Sequence, residues 1–214
     1  MKNILAGTLA ICFLLSGIIQ KAAAQHNDKG HTALIIIDVQ NDYFDGGKMP
    51  LAGSEAAGKK AKQLLEYYRA HNMPVVHIKH IALQPGATFF LPNTNGAKIH
   101  TYVNPQKGEK VITKHYPNSF RETDLLAYLK KKDITNLVII GMMTDVCVDA
   151  TVRAAKDFNF NNTVISDACA TRDRELAGEI VNAADVQKGL LAGMAALGGL
   201  YARVITTEQY IQGK

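Results

Sequence analysis

The chain has 214 residues, 47% hydrophobic and 20% charged, with 17 Gly, 6 Pro and 3 Cys. That suits one ordinary α/β domain and excludes a disordered chain, a collagen-like repeat, a disulfide-dense mini-protein and a four-cysteine zinc site. The formal charge of +5 does not point to nucleic acid: the longest basic run, Lys130-Lys131-Lys132, falls at an expected helix end, where cations meet the negative pole of the helix dipole.

In chain order, residues 1–24 read first as a secretory signal. Lys2 supplies the positive start, residues 4–19 are almost wholly apolar, and Ala22-Ala23-Ala24 precedes Gln25 as a small-residue cleavage site. The apolar run is short for a membrane span, which takes roughly 20 residues. No other segment could span a membrane, so no stable membrane insertion is expected. The mature chain, 25–214, is expected to be exported to a periplasm or secreted, and it keeps Cys147 and Cys169.

Residues 33–37 form a continuous apolar run ending at Asp38, as in a strand buried on both faces. Ser54 opens a helical stretch with Ala57, Ala61, Leu64, Leu65 and Tyr68 on one face. Residues 74–79 read as a second strand. Residues 81–109 show no periodicity, and loops of that length are usually lids or binding segments. Their Phe89-Phe90-Leu91 run, read as exposed, predicts a homo-oligomer. Residues 111–113 read as a third strand. Ser119 and Glu122 have capping-box spacing before Leu125, Leu126 and Leu129. Residues 137–140 form a fourth strand, followed by Gly141 and a helix over about 145–158. Strands at 163–166 and 202–205 flank a helix over roughly 183–197. This alternation predicts one α/β domain, a parallel sheet with helices on both faces.

Ligands of open α/β sheets bind outside the carboxyl ends of the strands. There the sequence places Asp38, Lys114 and the turn Gly141-Met142-Met143-Thr144-Asp145-Val146-Cys147. Alone, each has a bland explanation: a turn-forming Asp, a solvated Lys, a buried Cys. Together they make a set for acyl transfer. A thiol at a helix N-terminus beside a cation is expected to have a lowered pKa. Asp38 could take the thiol proton and return it to a leaving nitrogen. First-turn N–H groups could hold the oxyanion of a tetrahedral intermediate.

The run Ile35-Ile36-Ile37-Asp38-Val39-Gln40-Asn41-Asp42-Tyr43-Phe44, then Lys114, then Gly141 to Val148, resembles the isochorismatase-like cysteine hydrolase family. The resemblance covers nearly all of the mature chain. It implies a three-layer α/β/α sandwich around a six-stranded parallel sheet. It implies that Cys147 is the nucleophile, Asp38 the acid/base, and Lys114 the residue that holds thiolate and carboxylate in place. It also implies a non-proline cis peptide between Met142 and Met143, with the N–H groups of Met143 and Cys147 aimed at the oxyanion.

Two departures narrow the reading. The family's nicotinamidases carry an Asp-x-His…His metal site after strand two. Here the stretch is His77-Ile78-Lys79-His80-Ile81, whose two rings fall on opposite faces of a strand. No metal and no cofactor are therefore expected. Isochorismate-cleaving members do not use a cysteine nucleophile, so Cys147 favours C–N hydrolysis over vinyl-ether cleavage. The stretches 44–49, 86–90 and 114–120 resemble the streptothricin-hydrolase-like branch, near N-carbamoylsarcosine amidase. The candidate pocket residues are Gln40, Tyr43, His80, Phe89, Tyr116, Phe120 and Thr144. Cys169 reads as a small buried residue, and the two thiols are expected to stay unpaired. The expected function is hydrolysis of a small amide, lactam or ureido compound through a thioester. The alternatives are an isochorismatase-type ether hydrolase, a redox thiol protein, or a binding module without turnover.

Overall fold

A computed structural model describes residues 31–213, so the expected signal at 1–24 lies outside the described residues. The strands are β1 (Thr32–Ile37), β2 (Val75–His80), β3 (Lys110–Lys114), β4 (Asn136–Met142), β5 (Asn161–Ala170), β6 (Arg174–Leu176), β7 (Glu179–Val181) and β8 (Arg203–Ile205). Six of them form one sheet in the order β3-β2-β1-β4-β5-β8, with every neighbouring pair parallel. Parallel strands need covered faces, and all six residues of β1 are buried.

The period-2 alternation of β1 divides the core. Leu34 and Ile36 face helix α1 (Ser54–Ala70), which buries Ala57, Ala61, Leu64, Leu65 and Tyr68 against them. Ala33, Ile35 and Ile37 face the other layer. There α2 (Leu125–Lys131), α3 (Asp149–Asp157) and α4 (Ala183–Gly199) contribute Leu125, Leu129, Val152, Ala155 and Met194. The C-terminal α5 (Thr207–Ile211) packs on the α1 side, where the Tyr68 and Tyr210 hydroxyls meet at 2.5 Å. The three-layer sandwich with a six-stranded parallel sheet is therefore present. From β1 the chain builds outward first to β2 and β3, then returns to β4 on the other side. That reversal makes the carboxyl ends of β1 and β4 the crevice where ligands of such sheets bind.

Three local features differ from the sequence reading. The capping box does not form, because the Ser119 and Thr151 hydroxyls pair at 2.9 Å and Glu122 sits at φ 55°. Helix α2 starts later, after Asp124. The antiparallel hairpin β6–β7 left no periodic signal in three-residue strands. The third concerns Phe90, which is fully buried with its ring 4.6 Å from that of Tyr43, so Phe89-Phe90-Leu91 is not an exposed aromatic patch.

The 81–109 segment is tied down. The buried Asp42 carboxylate accepts the Phe90 N–H at 2.6 Å and the Lys48 N–H at 3.1 Å. A Cβ at Gly96 would lie 2.0 Å from Asp42 Oδ1, so only glycine lets the segment close over this carboxylate.

Candidate active site

Asp38 follows β1 directly and is fully buried. Gly141 of β4 lies beside it at φ 137°, where an added Cβ would come within 2.0 Å of Ile37 O. This close approach brings the turn after β4 against Asp38. The peptide bond Met142–Met143 is cis, and a π-helical turn, Thr144–Val148, follows. Both Val146 N and Val148 N donate to Met143 O, at 3.2 and 3.1 Å. Asp145 anchors the turn from outside: Arg174 of β6 grips its carboxylate through Nε at 2.5 Å and Nη2 at 3.0 Å, and the Thr171 hydroxyl also donates to it. Sequence reasoning missed Asp145 and Arg174, which lie 29 residues apart and meet only through the hairpin.

Lys114, at the end of β3, crosses the end of β2 to reach the site. Its Nζ lies 2.7 Å from Asp38 Oδ2, and both side chains are 0% exposed. The contact is a close ion pair without hydrogen-bond alignment. Nζ also donates to Tyr116 O and meets His80 Nδ1, each at 3.1 Å. Burial alone would lower the Lys114 pKa, but Asp38 and Cys147 outweigh it and hold the pKa above its ordinary value. Lys114 is therefore held as the ammonium.

Cys147 sits in the π-helical turn and is 4% exposed. Burial pushes its thiol pKa up, the Asp38 carboxylate pushes it further, and Lys114 offsets only part of this. The expectation of a lowered pKa is corrected, because desolvation outweighs the helix terminus and the lysine. Asp38, His80 and Cys147 each offer a donor atom within 4.8 Å of the other two, a spacing that could suit a metal. The residues do not fit one well, since the Lys114 ammonium already stands against Asp38 and His80.

A cavity of about 340 Å³ opens over Cys147, with Tyr43, His80, Phe89, Tyr116 and Met143 in its walls. Four of the seven expected pocket residues are thus placed in it, and three are not. Gln40 is buried behind the wall, where Oε1 accepts His80 N at 2.7 Å and Nε2 donates to His80 O and Ala97 O at 2.9 Å. Its amide completes backbone hydrogen bonding at the end of β2 and is not free for a ligand. Phe120 packs on Phe158 and Phe160, at 5.2 and 6.1 Å between ring centroids. Thr144 is fully buried at the start of the turn. Met143 and Cys147, expected to supply oxyanion N–H groups, both line the cavity. A larger cavity of about 510 Å³ shares only the Phe89 wall and is not lined by a cysteine.

His77 and His80 do part across β2. His77 Nε2 meets Glu109 Oε2 at 2.9 Å, beneath Arg69, while His80 faces the cavity. Cys169 is not beyond β5 as expected. The strand continues to Ala170 past an irregularity, and Cys169 pairs with Gly141. Burial pushes its thiol up to about 12, and both cysteines are free.

The isochorismatase domain model matches residues 32–209. The isochorismatase family protein YddQ of Bacillus subtilis is 46% identical over 181 residues, covering 85% of this chain and 99% of that protein. A streptothricin hydrolase of Streptomyces noursei is 32% identical, over 78% of this chain and 59% of that enzyme. A solved isochorismatase-type hydrolase from Oleispira antarctica superposes with a TM-score of 0.82 at 44% identity, over 86% of this chain and 98% of that one. Fold and relatives agree: the chain belongs to the isochorismatase family of hydrolases.

Proposed function

We propose that the protein hydrolyses a C–N bond of a small amide, lactam or ureido compound through a thioester on Cys147. One observation carries this reading: the buried Cys147 thiol, which lines the cavity, lies within 4.8 Å of the Asp38 carboxylate, and that carboxylate is paired with the buried Lys114 ammonium. The relatives add support, because one is named streptothricin hydrolase, another nicotinamidase and a third ureidoacrylate amidohydrolase.

The thiol is protonated at rest, so it is activated during attack. As Sγ adds to the carbonyl carbon, its proton passes to Asp38. The Met143 and Cys147 N–H groups take the oxyanion. Asp38 then returns the proton to the leaving nitrogen, the C–N bond breaks and the acyl group stays on sulfur. Water, deprotonated by Asp38, cleaves the thioester. Lys114 balances the carboxylate charge while the proton is away. Vinyl-ether cleavage is the second reading. It leaves Cys147 without a role.

The test is Cys147→Ala and Cys147→Ser, assayed by mass spectrometry on a panel of amides, lactams and ureides. Both should lose at least about a thousandfold in rate with unchanged circular dichroism. Substantial turnover by the Ala variant refutes the nucleophile. We also propose export, from the 1–24 pattern, and a homo-oligomer. The exposed apolar side chains include Leu176, Ile180 and Leu197, which replace Phe90 as candidates for contact. A monomer by light scattering at micromolar concentration refutes the oligomer.

A further inference from the structure

Lys114 fixes more than a charge. Its ammonium pairs with Asp38 Oδ2 as an ion, donates to Tyr116 O and stands within hydrogen-bond distance of His80 Nδ1. An ammonium donates and cannot accept, so His80 Nδ1 must offer its lone pair. The proton of the neutral imidazole is then on Nε2. Burial pushes the imidazole pKa down to about 4, against the pull of Asp38, so the ring is neutral in ordinary buffers. The Gln40 amide holds both backbone groups of His80, and the Phe90 ring packs 5.8 Å from the imidazole. Among the described residues no group hydrogen-bonds Nε2, yet His80 lines the cavity beside Cys147. The site therefore holds a pre-oriented N–H donor without a protein acceptor.

The sheet order says which part of a substrate this donor meets. β1 lies between β2 and β4. Asp38 thus has the oxyanion turn on one side and His80 on the other. In a bound amide the carbonyl oxygen points to the Met143–Cys147 turn, and the leaving nitrogen must face Asp38 to be protonated. The substituent on that nitrogen then passes toward His80. We propose that His80 Nε2–H hydrogen-bonds a second carbonyl carried by the leaving nitrogen, so that the site prefers cyclic imides, N-acyl amides and acylureas to simple amides and lactams.

This assignment rests on the reading of Cys147 as nucleophile and deepens it. The C–N bond breaks with its electron pair on nitrogen. That nitrogen takes from Asp38 the proton the thiol gave up, and the acyl carbon remains bonded to Sγ. In an N-acyl compound the departing charge spreads onto the second carbonyl oxygen, where His80 donates. A donor placed for that oxygen is left unpaired by a substrate that lacks it, which is the strong form of polar discrimination.

Glutarimide and δ-valerolactam test this. They share a six-membered ring and a lactam bond, and differ in the second carbonyl. Binding of each is measured by calorimetry on Cys147→Ala, which removes turnover. Glutarimide should bind more tightly. Adding His80→Asn, which keeps an acceptor near Lys114 and drops the Nε2 donor, should weaken glutarimide by about fivefold to tenfold more than it weakens δ-valerolactam. His80→Gln, whose amide N–H reaches toward the same point, should restore part of the difference. Independently, nitrogen-15 NMR of the wild-type imidazole should report the Nε2–H tautomer. An Nδ1–H tautomer, a glutarimide preference that survives His80→Asn, or no glutarimide binding overturns the proposal. A His80-dependent preference in a protein whose wild type hydrolyses neither probe supports the His80 assignment while counting against the hydrolytic reading.

Discussion

Replacing Lys114 with Met keeps most of the side-chain length and removes the ammonium. Both members of the Asp38–Lys114 pair are fully buried, so water cannot stand in for the missing cation. Removing one partner of a buried pair costs about 3–5 kcal/mol, because the remaining charge is stranded. A domain of this size is stable by about 5–15 kcal/mol, so the variant should fold with much of its margin gone. Equilibrium unfolding in urea reads the loss directly, as a lower midpoint at an unchanged slope. Adding Asp38→Asn removes the stranded charge. A buried amide is less costly than a buried carboxylate, and the double variant should regain about 1–3 kcal/mol over Lys114→Met alone. If Lys114→Met stays within about 1 kcal/mol of the parent, the pair behaves like a surface ion pair and the buried-pair reasoning fails.

Two further outcomes follow from titration. Burial and Asp38 hold the Cys147 thiol above its ordinary pKa, so iodoacetamide labelling of native protein should keep accelerating beyond pH 9, tracked by peptide mass spectrometry; a rate plateau near neutrality would contradict this. Burial would raise the Glu109 pKa, but Arg69, the Gln106 N–H and His77 together hold it at about 2. A depressed carboxylate contributes stability above its unfolded pKa and loses it as pH falls through the folded one. Wild-type stability should therefore carry a Glu109 component that fades between about pH 4.5 and 2; Glu109→Gln should lack it, and identical acid limbs in urea titrations would exclude the effect.

The core of this fold is legible because β1 and β4 are apolar on both faces, and only a covered parallel sheet buries such strands. Asp38, Lys114 and Cys147 are legible for a related reason: strand ends in such sheets share one rim. What could not be read depends on distant partners. Ser119 has a capping partner three residues away, and a better one in Thr151 on α3. Gln40 follows the catalytic-looking Asp38, yet its amide closes the backbone of β2 and Ala97. Phe120 lies near Lys114 in sequence but meets Phe158 and Phe160 in the core. The thiol pKa was misjudged because spacing shows the cation and the helix terminus, while burial appears only when the layers are assembled.

A buried thiol with a raised pKa looks poorly suited to catalysis, yet it separates two kinds of thiol chemistry. Disulfide exchange and oxidation proceed through the thiolate, so their rates follow the fraction already ionised. Attack on a bound amide has no such requirement, because Asp38 can accept the proton within the same step. With Cys147 held up by burial and Asp38, and Cys169 pushed up to about 12 on its strand, both thiols should react slowly with oxidants. A chain exported into an oxidising compartment would need that protection. Under the proposed mechanism, substrate binding supplies what oxidants cannot: an electrophilic carbon held against sulfur while the carboxylate that raises the thiol pKa takes the proton. The feature that argues against a redox thiol is thus the one that would let the proposed cysteine hydrolase remain reduced until an amide arrives.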